Sequence, residues 1–207
     1  MTLVEGLDYA AVLVFALTGA LVASRAQLDP VGFVFVAALT AVGGGTLRDL
    51  LLGRDPVFWV GRPEYVLIAA GAALAVFFTA HLLESRYRAL LWLDACALSI
   101  AVPAGVAVAM RMQEGPVIVL IMGVITGCFG GLMRDVVCNE VPLVLKQGEL
   151  YLTAAFCGAG AAVLLAAHSG PGLPPLIACA AVTFALRAGR MVFGWQLPAS
   201  RARPPRR

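Results

Sequence analysis

Sliding the sequence against itself by 86 positions (134 − 48) brings Asp8 onto Asp94, Gly19 onto Gly105, Arg25 onto Arg111, Gln27 onto Gln113 and Pro30 onto Pro116. The same offset, without a gap, aligns Thr40 with Thr126, Gly44 with Gly130, Gly45 with Gly131, Arg48 with Arg134, Asp49 with Asp135, Pro56 with Pro142 and Tyr65 with Tyr151. A register held at so many polar and glycine positions marks two copies of one structural unit. Whatever fold one copy adopts, the other must adopt too.

Hydropathy says what each copy is. Of 207 residues 61% are hydrophobic and 13% charged, with a mean hydropathy of +0.91, whereas soluble domains carry roughly 25% charge. Seven segments reach the ~20 apolar residues a bilayer core requires, at approximately 8–25, 31–52, 64–83, 91–110, 116–138, 150–168 and 173–195. Pro30 and Pro116 suit a first helical turn, where the missing N–H costs nothing. The expected fold is therefore an all-α membrane protein of seven transmembrane helices. Residues 1–196 form one transmembrane domain, with repeat one at 8–83, repeat two at 94–168 and an extra helix at 173–195; residues 197–207 form a basic, disordered tail. Each copy crosses the membrane three times, and an odd number of crossings starts the second copy on the opposite side. The two copies are thus inverted repeats, an architecture of transporters and channels.

Charge sets orientation and excludes other classes. The net charge is +3, and much of it lies in Arg201, Arg203, Arg206 and Arg207, so there is no basic face for nucleic acid. With the tail cytoplasmic, Arg25, Arg86, Arg88 and Lys146 share its side, while Arg54, Arg62 and Arg111 face out. This predicts the N-terminus outside and the C-terminus inside, in the inner membrane if the source is prokaryotic. Five scattered cysteines lack ligand spacing, and His81 and His168 stand at span ends without nucleophile or metal-ligand company, so neither an enzyme nor a cofactor is expected. Asp8 and Asp94 read as helix-start caps, Arg25 and Arg111 as side chains snorkelling to headgroups, and Tyr65 and Tyr151 as interfacial belts.

The second and fifth spans carry the candidate site. Each has the pattern Thr-x-x-x-Gly-Gly-x-x-Arg-Asp: Thr40, Gly44, Gly45, Arg48 and Asp49, then Thr126, Gly130, Gly131, Arg134 and Asp135. The first copy extends its glycine run back to Gly43, where the second has Phe129. Consecutive glycines cost about 1 kcal/mol each in a helix and invite a kink or unwound turn. Charge inside a span needs a partner or a cavity. The bland reading is close helix packing through the glycines, with Arg and Asp neutralising each other. Duplication across the inverted axis favours a pathway lined by Gly43, Gly44, Gly45, Gly130, Gly131, Thr40 and Thr126, with Arg48, Asp49, Arg134 and Asp135 as charges at its two mouths.

These paired helices, the three-plus-three-plus-one layout and the chain length resemble a prokaryotic member of the trimeric intracellular cation (TRIC) channel family. They also resemble the related bacterial membrane domain often labelled a glycine transporter. The resemblance covers nearly the whole chain to about Trp195. It implies a homotrimer in membrane lipid, a separate pore in each protomer, kinked second and fifth helices lining it, and permeation of monovalent cations, chiefly potassium with sodium as a second candidate. The residues alone leave two other classes open: a secondary transporter of a small amino acid such as glycine, and a non-transporting scaffold.

Overall fold

The computed structural model describes residues 3–82 and 86–198, so the last nine tail residues and their arginines lie outside the described residues. The described chain is helical: α1 (Leu3–Arg25), α2 (Pro30–Leu51), the short α3 (Phe58–Gly61), α4 (Glu64–Thr79) with a 3-10 turn at Ala80–Leu82, α5 (Arg86–Arg111), α6 (Pro116–Val137), α7 (Tyr151–Ser169) and α8 (Leu173–Phe193). Seven of these, α4 with its 3-10 extension, are long and apolar enough to span a membrane. The chain is a multi-pass integral membrane protein.

Local sequence explains the helix boundaries. Asp29 caps α2 by accepting a hydrogen bond from Gly32 N at 2.7 Å, and Pro30 and Pro116 open α2 and α6. The turns repeat as the helices do: Gln27 and Gln113 (φ 55° and 59°), then Gly53 and Asn139 (φ 65° and 54°), take left-handed conformations 86 residues apart. Two boundaries differ from expectation. Helix α1 begins at Leu3 and α5 at Arg86, which puts Asp8 and Asp94 inside helices rather than at their starts.

Packing follows the repeat. Helices α1, α2, α5 and α6 form the centre, with α1 against α5 and α2 against α6 joining the two copies. Helix α4 packs on α1 and α2, α7 takes the matching place on α6 and α5, and α8 covers α5 and α7. Alanines and glycines at the contacts let backbones approach closely, as membrane helices require when lipid gives no hydrophobic drive.

Candidate functional site

Two buried charge clusters face each other through the pseudo-symmetry. In the first, Arg48 Nη1 donates to Asp8 Oδ1 at 3.0 Å and Arg48 Nε donates to Asp49 Oδ1 at 2.8 Å. Arg54 Nη1 reaches the same Asp49 oxygen at 2.8 Å, and the Phe58 backbone N–H donates to Oδ2 at 2.9 Å. In the second, Arg134 donates to Asp94 Oδ1 at 2.9 Å, Asp135 Oδ1 at 2.7 Å and Thr18 Oγ1 at 3.0 Å, while Leu143 N donates to Asp135 Oδ2 at 2.8 Å. Ten residues of α1 separate Asp8 from Thr18, so the clusters stand about 15 Å apart along the helix. Both arginines are fully buried, and each has charged partners within hydrogen-bond distance, as charge inside a span requires when no water reaches it.

Several expectations change at this point. Asp8 and Asp94 cap no helix; they are the counter-ions of Arg48 and Arg134. Arg48, Asp49, Arg134 and Asp135, expected as charges at the mouths of a pathway, are buried. Tyr65 and Tyr151 are 2% and 1% exposed, not interfacial: Tyr65 stacks on Tyr9 at 4.2 Å, and Arg187 lies 4.8 Å over the Tyr151 ring. Arg25 pairs with Glu140 at 3.2 Å instead of reaching for headgroups.

The glycines do not unwind their helices. Helices α2 and α6 remain α-helical through Gly43–Gly45 and Gly130–Gly131. A Cβ on Gly44 would collide with the Thr126 carbonyl oxygen, and one on Gly130 with the Thr40 carbonyl oxygen. The two helices therefore cross backbone against backbone at a symmetric point. Thr40 and Thr126 brace it: each hydroxyl donates one turn back, to Val36 O and Met122 O at 2.6 Å, and each packs on the matching glycine of α1 or α5, Gly19 or Gly105. Gly43 lies against Met133, and Gly45 against the Phe58 ring. Between Phe58 and the crossing remains a cavity of about 20 Å³ lined by Asp8, Phe15, Thr40, Gly44 and Thr126, room for about one water. Around Gly131 gather Tyr151 Oη, Arg134 Nη2 and Asp94. Both named atoms, and Asp94 Oδ2, have no hydrogen-bond partner among the described residues.

The two ends of the bundle differ. Glu140 and Arg25 bridge the second-repeat end, and Lys146 Nζ donates to Tyr87 Oη at 2.8 Å beside them. At the first-repeat end a cavity of about 250 Å³ opens among Glu5, Asp8, Arg54, Arg62 and Arg111. The Arg62 to Glu5 hydrogen bond, 2.9 Å, raises the guanidinium pKa above its ordinary value, so Arg62 stays charged.

One part of the charge network was missed from sequence. Arg187 of α8 is fully buried and donates to Glu149 Oε2 at 2.9 Å, with Arg190 4.0 Å from the other oxygen. Two arginines in the seventh span, Arg187 and Arg190, were the signal that could have found it. Their partner lies in a loop outside the repeat motif.

Inverted three-helix repeats enclosing paired, buried ion clusters define a membrane protein of the transporter-and-channel architecture. A family model described as Glycine transporter matches the chain twice, at residues 5–81 and 91–167, the same offset of 86 (91 − 5). The chain belongs to this family, and within it to the prokaryotic TRIC group. The TRIC channel orthologue from Rhodobacter sphaeroides is 48% identical, with a TM-score of 0.90 over 94% of this chain and 100% of that one. A second TRIC cation channel structure is 30% identical, with a TM-score of 0.86 over 98% of this chain and 100% of that one. The inner membrane protein YadS of Escherichia coli is 40% identical over 75% of each chain. A membrane protein of Vibrio cholerae is 43% identical over 70% of this chain and 61% of its own length.

Proposed function

We infer that the chain is a monovalent-cation channel, with a pore through each protomer of a homotrimer lined by α2 and α6, passing chiefly potassium and also sodium. The observation that carries this reading is the α2–α6 crossing itself, where Gly44 meets Thr126 and Gly130 meets Thr40 between two matched Arg–Asp clusters. A relative 48% identical is described as a trimeric intracellular cation channel orthologue, which supports both the ion class and the trimer. In the conformation described, the helices touch at the crossing, so conduction requires α2 and α6 to part there. The Thr40 and Thr126 hydroxyls already donate to backbone carbonyls, which leaves their oxygens' lone pairs free to replace water around a cation. Asp49 and Asp135 neutralise arginines that would otherwise repel cations.

A second reading, a secondary transporter of a small amino acid such as glycine, is favoured by the unequal mouths, one bridged by Arg25–Glu140 and one holding a cavity. Purified protein in a planar bilayer under a potassium gradient separates the two. Unitary currents reversing near the potassium potential are expected, and Asp49→Asn or Asp135→Asn should reduce them because each makes its cluster one unit more positive. Saturable amino-acid flux without unitary events would replace the channel with the transporter.

The expected orientation, N-terminus outside and C-terminus inside in a prokaryotic inner membrane, is also read from charge. On a background lacking native cysteines, Asp55→Cys should be labelled from outside the cell and Gln147→Cys only from the cytoplasmic side. Labelling of both from one side would overturn the inverted arrangement.

A further inference from the structure

We propose that the cavity at the first-repeat mouth binds a small oxyanion, a carboxylate or phosphate group held between Arg54 and Arg111. The repeat shows what is missing there. At the second mouth the Glu140 carboxylate accepts from Arg25 Nη1 at 3.2 Å, joining the loop after α6 to the end of α1. The offset of 86 carries Arg25 to Arg111 and Glu140 to Arg54, so the first mouth has a second guanidinium where the other has a carboxylate. The backbone is the same in both: Arg54 N donates to Asp49 O and Glu140 N to Asp135 O, each at 2.8 Å. Only the side chain differs.

The carboxylates at this mouth already have arginine partners. Glu5 is held by Arg62, Asp8 by Arg48, and Asp49 by Arg48 and Arg54. Arg111 makes no hydrogen bond or ion pair among the described residues, yet it lines the cavity with Arg54 and Arg62. Three guanidinium groups, Arg54, Arg62 and Arg111, line the cavity against two carboxylates, Glu5 and Asp8, an excess that an anion would offset. Guanidinium forks match carboxylate and phosphate oxygens two at a time, and about 250 Å³ admits a small ligand. Such an anion would lower the positive potential a cation meets at this mouth. The proposal does not depend on what crosses the membrane, because binding is measured without flux.

The test is calorimetric titration of inorganic phosphate into the full-length protein in an uncharged detergent, with the melting temperature of each variant measured alongside. Saturable binding is expected, weakened at least tenfold by Arg111→Gln, an exposed position whose loss leaves the fold intact. Arg54→Glu recreates the arrangement of the second mouth and should abolish phosphate binding in a protein that still melts cooperatively. A parallel series in nanodiscs of phosphatidylcholine or phosphatidylglycerol identifies the source. Phosphate binding blocked by phosphatidylglycerol supports the site with a lipid headgroup as occupant, and binding unaffected by it supports a free anion. Absence of saturable phosphate binding in uncharged detergent, or equal affinity in Arg111→Gln and the parent protein, overturns the proposal.

Discussion

Replacing Arg134 with Met should destabilise the folded protein by about 3–5 kcal/mol, the range for removing one partner of a buried ion pair. Arg134 is fully buried and holds Asp94, Asp135 and the Thr18 hydroxyl at once, so its loss strands two carboxylates in the protein interior. The double variant Asp94→Asn with Arg134→Met removes one stranded charge and should recover part of that loss, because an uncompensated ion costs more than a missing pair. The matching change at Arg48 should cost less: Asp49 keeps its 2.8 Å bond from Arg54, and Asp8 borders the open cavity. Thermal or detergent denaturation of the purified variants measures all three. An Arg134→Met protein within about 1 kcal/mol of the parent would show that the cluster does not hold the bundle together.

Gly44→Ala and Gly130→Ala should each cost about 1–3 kcal/mol, the usual range for overpacking, and leucine at either place should prevent stable assembly. In each case the new Cβ meets a carbonyl oxygen of the facing helix, which is backbone and cannot turn aside. Gly71→Ala and Gly160→Ala are the controls, since open space surrounds both positions; there alanine should be neutral or stabilise the helix by up to about 1 kcal/mol. Had the glycines unwound α2 and α6 to line a wide lumen, Gly44→Leu would leave stability unchanged and block flux alone. Melting curves set beside bilayer currents distinguish the outcomes. Loss of stability in Gly44→Leu together with unchanged currents in Asp49→Asn and Asp135→Asn would remove these residues from the pore.

The positions where sequence reading and structure part share one cause. Asp8 and Asp94 stand early in apolar runs, and a capping role follows naturally from that place. Their true partners, Arg48 and Arg134, are 40 residues away and reach them only because α2 folds back along α1 and α6 along α5. Tyr65 and Tyr151 look interfacial in a linear scan, yet each is covered by a neighbour that hydropathy cannot see. The glycine pairs are ambiguous by themselves, since the same residues permit a broken helix or a tight crossing; contact with a facing carbonyl decides for the crossing.

The sequence by itself determined the seven spans, the two copies and their inversion, because hydrocarbon thickness and the parity of crossings are properties of segment length and order alone. Tertiary structure alone decided which buried charges compensate which, and that the Gly44–Gly130 contact is closed. It also decided that one end of the bundle is bridged by Arg25 and Glu140 while the other leaves Arg111 facing a cavity. Membrane-buried charges must find partners wherever packing brings them, and those pairings depend on distances between helices that no local pattern encodes.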